Sequence, residues 1–155
     1  MSKLKFNGNT HQIELTDTSG KVIGNWAAYN NVDSHATLRH VGNGSYTILD
    51  QRLPHHHTAN ANGPYGSYGI IRFNVPGHPG VGIHSGRANA RHLPGPQHPT
   101  MGCIRTSDDA MLAIARLMSQ DALTSIEVTN NSVTTARAAS AQNRIRQDIV
   151  RHTHD

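Results

Sequence analysis

"GIHSGRANARHLPGPQHPTMGCIRTSDDAMLAI", residues 82–114, holds the only cysteine of the chain, Cys103. The residues leading into it, Val81 to His84, read as a short strand, and 86–102 form a long loop of Gly, Pro and His. After Cys103 the pattern changes. Ser107 has the chemistry of a helix cap, and Asp108 and Asp109 fall where acidic groups face the positive end of the helix dipole. Met111, Leu112, Ile114, Ala115 and Met118 then recur at helical spacing, which predicts a helix ending near Gln120.

Upstream of this stretch, residues 3–7 and 11–15 alternate apolar and polar, with turns at Gly8-Asn9 and 17–20, and 22–28 follow as a third strand. Two hairpins in succession predict an antiparallel meander. Gly42-Asn43-Gly44 introduces a strand over 45–49, and 52–67 is loop-like. Tyr68 to Val75 is apolar almost throughout, which predicts a strand buried on both faces. A last strand covers 125–129, and Asn130-Asn131 closes a domain of residues 1–131. The extension, 132–155, carries Ala138, Ala141, Ile145 and Ile149 on one stripe and reads as an added helix or a partly disordered tail. The fold class is mainly β, with one helix after Cys103 and another in the extension.

A length of 155 residues suits one such domain with a real core. A single cysteine excludes an internal disulfide, so packing alone must hold the fold, as suits a reducing compartment. The formal charge is +4, and most of the cationic residues are arginine, which suits an anionic partner such as an acidic wall polymer. The arginines are scattered, without aromatic interleaving, so nucleic-acid recognition is not expected. The start, "MSKLKFNGNTHQIELTD", has no apolar run of signal-peptide length, and no stretch is long enough to span a membrane. The expectation is synthesis in the cytoplasm without a secretory signal and no membrane insertion.

Cys103 has two readings. A lone cysteine is more often a small buried hydrophobe than a nucleophile. A nucleophile needs a lowered pKa, a base within reach and donors for the oxyanion it creates. Gly102 lets a carbonyl approach the backbone, Thr100 and Arg105 are placed to hold the loop, and His84 ends a strand at the sheet rim. Ser85 follows directly and can accept from the imidazole Nδ1–H, the third role of a triad. Papain-like enzymes place the cysteine before the histidine. Downstream of Cys103 stand only His152 and His154, at the chain's last few positions, a poor place for a rigid base. The combination favours the nucleophile, with His84 as base.

The same residues resemble the catalytic signature of YkuD-type L,D-transpeptidases: His, a gap of about fourteen to seventeen residues, then Ser/Thr-His-Gly-Cys. Here fifteen residues separate His84 from Thr100-Met101-Gly102-Cys103, and Ile104-Arg105 matches the Ile-Arg that commonly follows. The resemblance covers roughly residues 42 to 115. Met101 departs from it, standing where the family often has a second histidine, so no proton relay can pass through that position. The resemblance implies an L,D-transpeptidase-like β-sandwich or barrel acting without a cofactor on the tetrapeptide stems of peptidoglycan. Cys103 would attack the third residue and expel the terminal D-alanine, with Gly102 and Cys103 N–H groups on the oxyanion. Thr100, Arg105, Tyr65, Tyr68 and Arg72 would shape the donor site. The acyl group would pass to a second stem, a D-amino acid or water, the last giving L,D-carboxypeptidase activity. The chain also resembles small L,D-transpeptidase-like effectors of type VI secretion, which implies action in a target cell's periplasm and a cognate immunity protein. The alternatives are a housekeeping transpeptidase and an inert wall-binding domain.

The remaining histidines raise the question of a metal. His55, His56, His57, His78, His92 and His98 all sit in loops, with no His-Glu-x-x-His pattern and no paired cysteines. No designed metal site is expected, and solvated loop histidines are the preferred reading; because these loops flank the expected cleft, binding of substrate carboxylates is a further one.

Overall fold

Ser2, Leu4 and Phe6 are buried while Lys3 and Lys5 face solvent, the period-two pattern of a strand with one wet face. In the computed structural model, which describes residues 1–33, 35–38 and 40–132, this strand is β1 (Ser2–Asn7). It pairs antiparallel with β2 (Gln12–Thr16), which pairs antiparallel with β3 (Val22–Ala27), the meander that the two turns predict. β4 (Gly44–Thr47) follows a long irregular segment. Then come three short strands, β5 (Ile71–Arg72), β6 (Gly82–His84) and β7 (Ile104–Arg105), the helix α1 (Asp108–Met118), and β8 (Leu123–Thr129).

β8 enters the first sheet between β1, to which it is parallel, and β4, giving the order β3-β2-β1-β8-β4. The second sheet has the order β5-β6-β7, antiparallel then parallel. The sheets and α1 share one core, in which Phe6, Ile13, Ile126, Ile71, Ile83, Ile104 and Met111 are at most 1% exposed. Burying each such side chain contributes about 1.5–3 kcal/mol.

Ser107 caps α1 as its sequence predicts, its hydroxyl accepting from the Ala110 N–H at 3.1 Å. The continuous strand expected over Tyr68 to Val75 is not what forms. Only Ile71–Arg72 pairs with β6, while Ile70 bridges His55 and Phe73 bridges Ile48, so the segment changes partner almost residue by residue. Ile70, Ile71 and Phe73 are buried, but Tyr68 and Asn74 are exposed. The helical stripe expected at Ala138 to Ile149 lies outside the described residues. Among the described residues, no helix is long and apolar enough to cross a membrane.

Candidate active site

β6 and β7 run side by side with Ile83 opposite Ile104 and His84 opposite Arg105. Side chains alternate along a strand, and registered neighbours share a face. Ile83 and Ile104 therefore point into the core, and His84 projects to the other face. Cys103 stands one residue before β7. The register runs the strand that ends at His84 beside the strand that Cys103 leads into.

His84 is only 3% exposed, and two contacts orient its ring. Nδ1 lies 2.7 Å from the carbonyl oxygen of Ser85. A carbonyl can only accept, so the hydrogen sits on Nδ1, and the lone pair of the neutral ring is on Nε2. The ring of Tyr65 packs against that of His84 with centroids 4.9 Å apart. Tyr65 is stacked in turn on His57 at 3.8 Å, and His57 meets His55 edge-on at 5.8 Å. Burial and the neighbouring His55, His56 and Arg72 hold His57 below the ordinary histidine value. Among the described residues, no group of three or more His, Cys, Asp or Glu side chains is placed to hold a metal ion.

The loop carrying Cys103 is braced from both sides. The Thr100 hydroxyl donates to the Cys103 carbonyl at 2.7 Å and accepts from the Gly102 N–H at 3.1 Å. The Asn30 amide donates to the carbonyls of Gly102 and Cys103, at 2.9 and 3.0 Å. Its oxygen accepts from the Val41 N–H and from Asn131 Nδ2. Gly102 has φ +138°, where a side chain is strained, and an added Cβ would press on Leu38 at 3.3 Å. The half-buried Cys103 thiol lies 3.8 Å from the Gly80 carbonyl, and Met101 beside it is 50% exposed.

Several expected substrate contacts are engaged within the protein. The Gly102 N–H, expected on an oxyanion, is donated to Thr100 and reaches a substrate only if that bond opens. Arg105, expected at the donor site, is fully buried. Its guanidinium donates to the carbonyls of Pro64, Ser85, His98 and Pro99, and so ties the loops around His84 together. Arg72 forms a two-point ion pair with Asp50, both contacts at 2.9 Å, so its charge is matched inside the fold. Tyr68 is 36% exposed and lines a cleft of about 260 Å³ with Leu53, Pro54, His56, His57 and Ala115.

Sequence reasoning overlooks three residues here. Asn30 and Asn131 carry only the signal of turn formers. Asp108 reads as a helix-start acid, yet its carboxylate accepts from Ser85 Oγ at 2.5 Å and from Ser67 Oγ at 2.6 Å. Burial works to raise the Asp108 carboxyl, and the Ser67 and Ser85 hydrogen bonds outweigh it, leaving the group below the ordinary carboxylate value.

The family model of the L,D-transpeptidase catalytic domain, YkuD, matches residues 13–129. No curated protein matches the chain. Among solved structures it is similar to an L,D-transpeptidase from Stackebrandtia nassauensis, at 13% identity and a TM-score of 0.53, covering 84% of this chain and 58% of that one. An L,D-transpeptidase from Mycobacterium smegmatis is similar at 16% identity and 0.54, covering 83% and 58%. Bd1075 of Bdellovibrio bacteriovorus is similar at 13% and 0.59, covering 94% and 55%. At such identities the structural likeness establishes a shared fold. The chain spans little more than half the length of these three proteins.

Proposed function

The chain belongs to the YkuD L,D-transpeptidase catalytic domain family, and from that premise we propose that Cys103 is the nucleophile of an acyl transfer on peptidoglycan stem peptides. The observation that carries the reading is the 2.7 Å contact between His84 Nδ1 and the Ser85 carbonyl, which puts the basic lone pair on Nε2. The register of β6 against β7 supports it, since the strand that ends at His84 runs beside the strand that Cys103 leads into.

In the proposed reaction Nε2 of His84 takes the thiol proton and the sulfur attacks the carbonyl carbon of the third stem residue. A C–S bond forms, the C–N bond to the terminal D-alanine breaks, and the imidazolium returns its proton to the departing amine. An amine of a second stem or of a D-amino acid then resolves the thioester, or water does, giving carboxypeptidase activity. The test is the mass of the protein after brief incubation with a disaccharide tetrapeptide. An acyl adduct on Cys103 with released D-alanine is expected; the absence of both would reject the reading.

We further infer that the acyl transfer is turned against another bacterium's wall, with an immunity protein as the natural partner. Resemblance to small type VI effectors supports this over the housekeeping and inert wall-binding alternatives. Confined to the cytoplasm, the protein should be harmless, and directed to the periplasm by an added signal it should deform or lyse the cell. Cys103→Ala should remove that toxicity at equal protein level. Equal toxicity in both compartments would defeat the assignment to peptidoglycan.

A further inference from the structure

The carboxylate of Asp108 belongs to the first turn of α1, yet it faces away from its own helix and gathers two other segments. It accepts from the Ser85 hydroxyl at 2.5 Å, the Ser67 hydroxyl at 2.6 Å and the Ser67 N–H at 3.1 Å. Each of these segments also supplies one of the contacts that orient His84. Ser85 offers the carbonyl that holds Nδ1, and Tyr65, two residues before Ser67, supplies the ring that flanks the imidazole. Between them lies Gly66, at φ +72°, where a Cβ would collide with Ser85 Oγ and lie 2.9 Å from Asp108 Oδ1. The backbone there is bare so that the two serines can close on one carboxylate.

We propose that Asp108 is the positioning residue of the catalytic histidine: it fixes both the carbonyl that selects the His84 tautomer and the loop that packs on the ring. This rests on the reading of Cys103 and His84 as nucleophile and base. Asp108 acts only through Ser85 and Ser67. Bonds to an ionised acceptor are short and about twice as strong as neutral ones. Those to Ser85 and Ser67 are the shortest that bear on His84, which makes the serines stiff supports. Arg105 Nε shares the Ser85 carbonyl at 3.3 Å, so that peptide group is held at its oxygen as well as through its side chain. A helix-start acid with no further role would need only the dipole, and Asp109 beside it is exposed and already supplies that charge.

The test reads the reactivity of the Cys103 thiol, which requires no wall substrate. The full chain is alkylated with iodoacetamide across pH 5 to 10, in the natural protein and in the variants Asp108→Ala, Asp108→Asn and Ser85→Ala. The natural thiol should titrate below the ordinary cysteine value of about 8.5. Asp108→Ala should slow alkylation at neutral pH by roughly 10- to 100-fold, the effect of a misplaced base, and move the titration toward the ordinary value. Asp108→Asn keeps an oxygen that accepts from Ser85 and should recover most of the rate. Ser85→Ala removes one of the two arms and should reproduce part of the Asp108→Ala effect, and adding it to Asp108→Ala should add nothing further. Asp108→Ala that melts earlier but alkylates with an unchanged profile would reduce Asp108 to a helix-start acid and overturn the proposal. Should Asp108→Ala fail to fold, Ser85→Ala decides, because it removes a hydroxyl alone; an unchanged profile there overturns the proposal equally. An ordinary titration in the natural protein would also overturn it. A low-titrating, Asp108-dependent thiol without turnover of wall fragments would defeat the substrate assignment and leave this proposal standing.

Discussion

The carbonyl oxygen of Ser85 receives both the Nδ1–H of His84, at 2.7 Å, and the Nε–H of Arg105, at 3.3 Å. One backbone atom therefore joins His84 to Arg105, the largest fully buried side chain among the described residues. The orientation of the imidazole and the packing of the loops around it depend on the same guanidinium.

That shared atom sets the expectation for Arg105. Arg105→Met removes the donors to four carbonyls in a buried site and should cost about 3 kcal/mol or more of stability, because unsatisfied buried acceptors carry their full desolvation cost. Arg105→Lys keeps the charge but not the planar fork, and should recover only part. Urea denaturation measures both. A loss under about 1 kcal/mol in Arg105→Met would show that water or a small shift satisfies those carbonyls.

Asn30 braces the Cys103 loop from the opposite side, and its two substitutions separate donor from acceptor. Asn30→Ala abandons the carbonyls of Gly102 and Cys103 and the Val41 N–H, and should destabilise by about 2 kcal/mol or more. Asn30→Asp keeps the acceptor for Val41 but turns an oxygen toward two carbonyl oxygens. It should be the worse of the two at neutral pH and improve on acidification. The reverse ranking in chemical denaturation would mean that the acceptor half of Asn30, which holds the Val41 N–H, matters more than the donor half.

Acid should weaken the fold through His57 before any carboxylate contributes. Burial and the neighbouring His55, His56 and Arg72 lower the His57 value in the folded protein. The unfolded chain then binds that proton more readily, so the contribution is full above about pH 6.5 and is lost as the pH falls. Burial lowers His11 and acts in the same direction. Asp50 and Asp108 are both lowered, and what they contribute persists until the pH drops below about 3.9. The melting temperature should therefore fall between pH 7 and pH 5. His57→Phe, which keeps a ring on Tyr65, should make that fall shallower; an identical slope would take His57 out of the explanation.

Local pattern carries much of this architecture. Leu4, Phe6, Ile13 and Leu15 declare their strands by alternation, and Ser107 declares the start of α1 by its hydroxyl. Placing β8 between β1 and β4 is a long-range choice that no local pattern encodes. β7 is two residues long, too short for alternation to register, although its pairing with β6 is what sets Arg105 opposite His84. Arg105 reads in sequence as a charge available to substrate, because burial of a guanidinium depends on four carbonyls scattered from residue 64 to 99. Asn30 and Asn131 fail for the same reason: an asparagine that bonds across a hundred residues looks like one that makes a turn. The family is legible because the spacing of His84 and Cys103 carries its signature, and the family model matches residues 13–129.

The most direct measurement is the mass of the products formed from purified disaccharide tetrapeptides by the natural protein and by Cys103→Ala, which removes only the half-buried sulfur of a loop residue and should leave the melting temperature within a few degrees. The natural protein should convert tetrapeptides to tripeptides, to D-amino-acid-exchanged stems or to dimers joined between third residues, and Cys103→Ala should yield none of these. Unaltered tetrapeptides in both samples, or the same products from Cys103→Ala, would contradict the assignment of Cys103 as an acyl-transferring nucleophile on peptidoglycan.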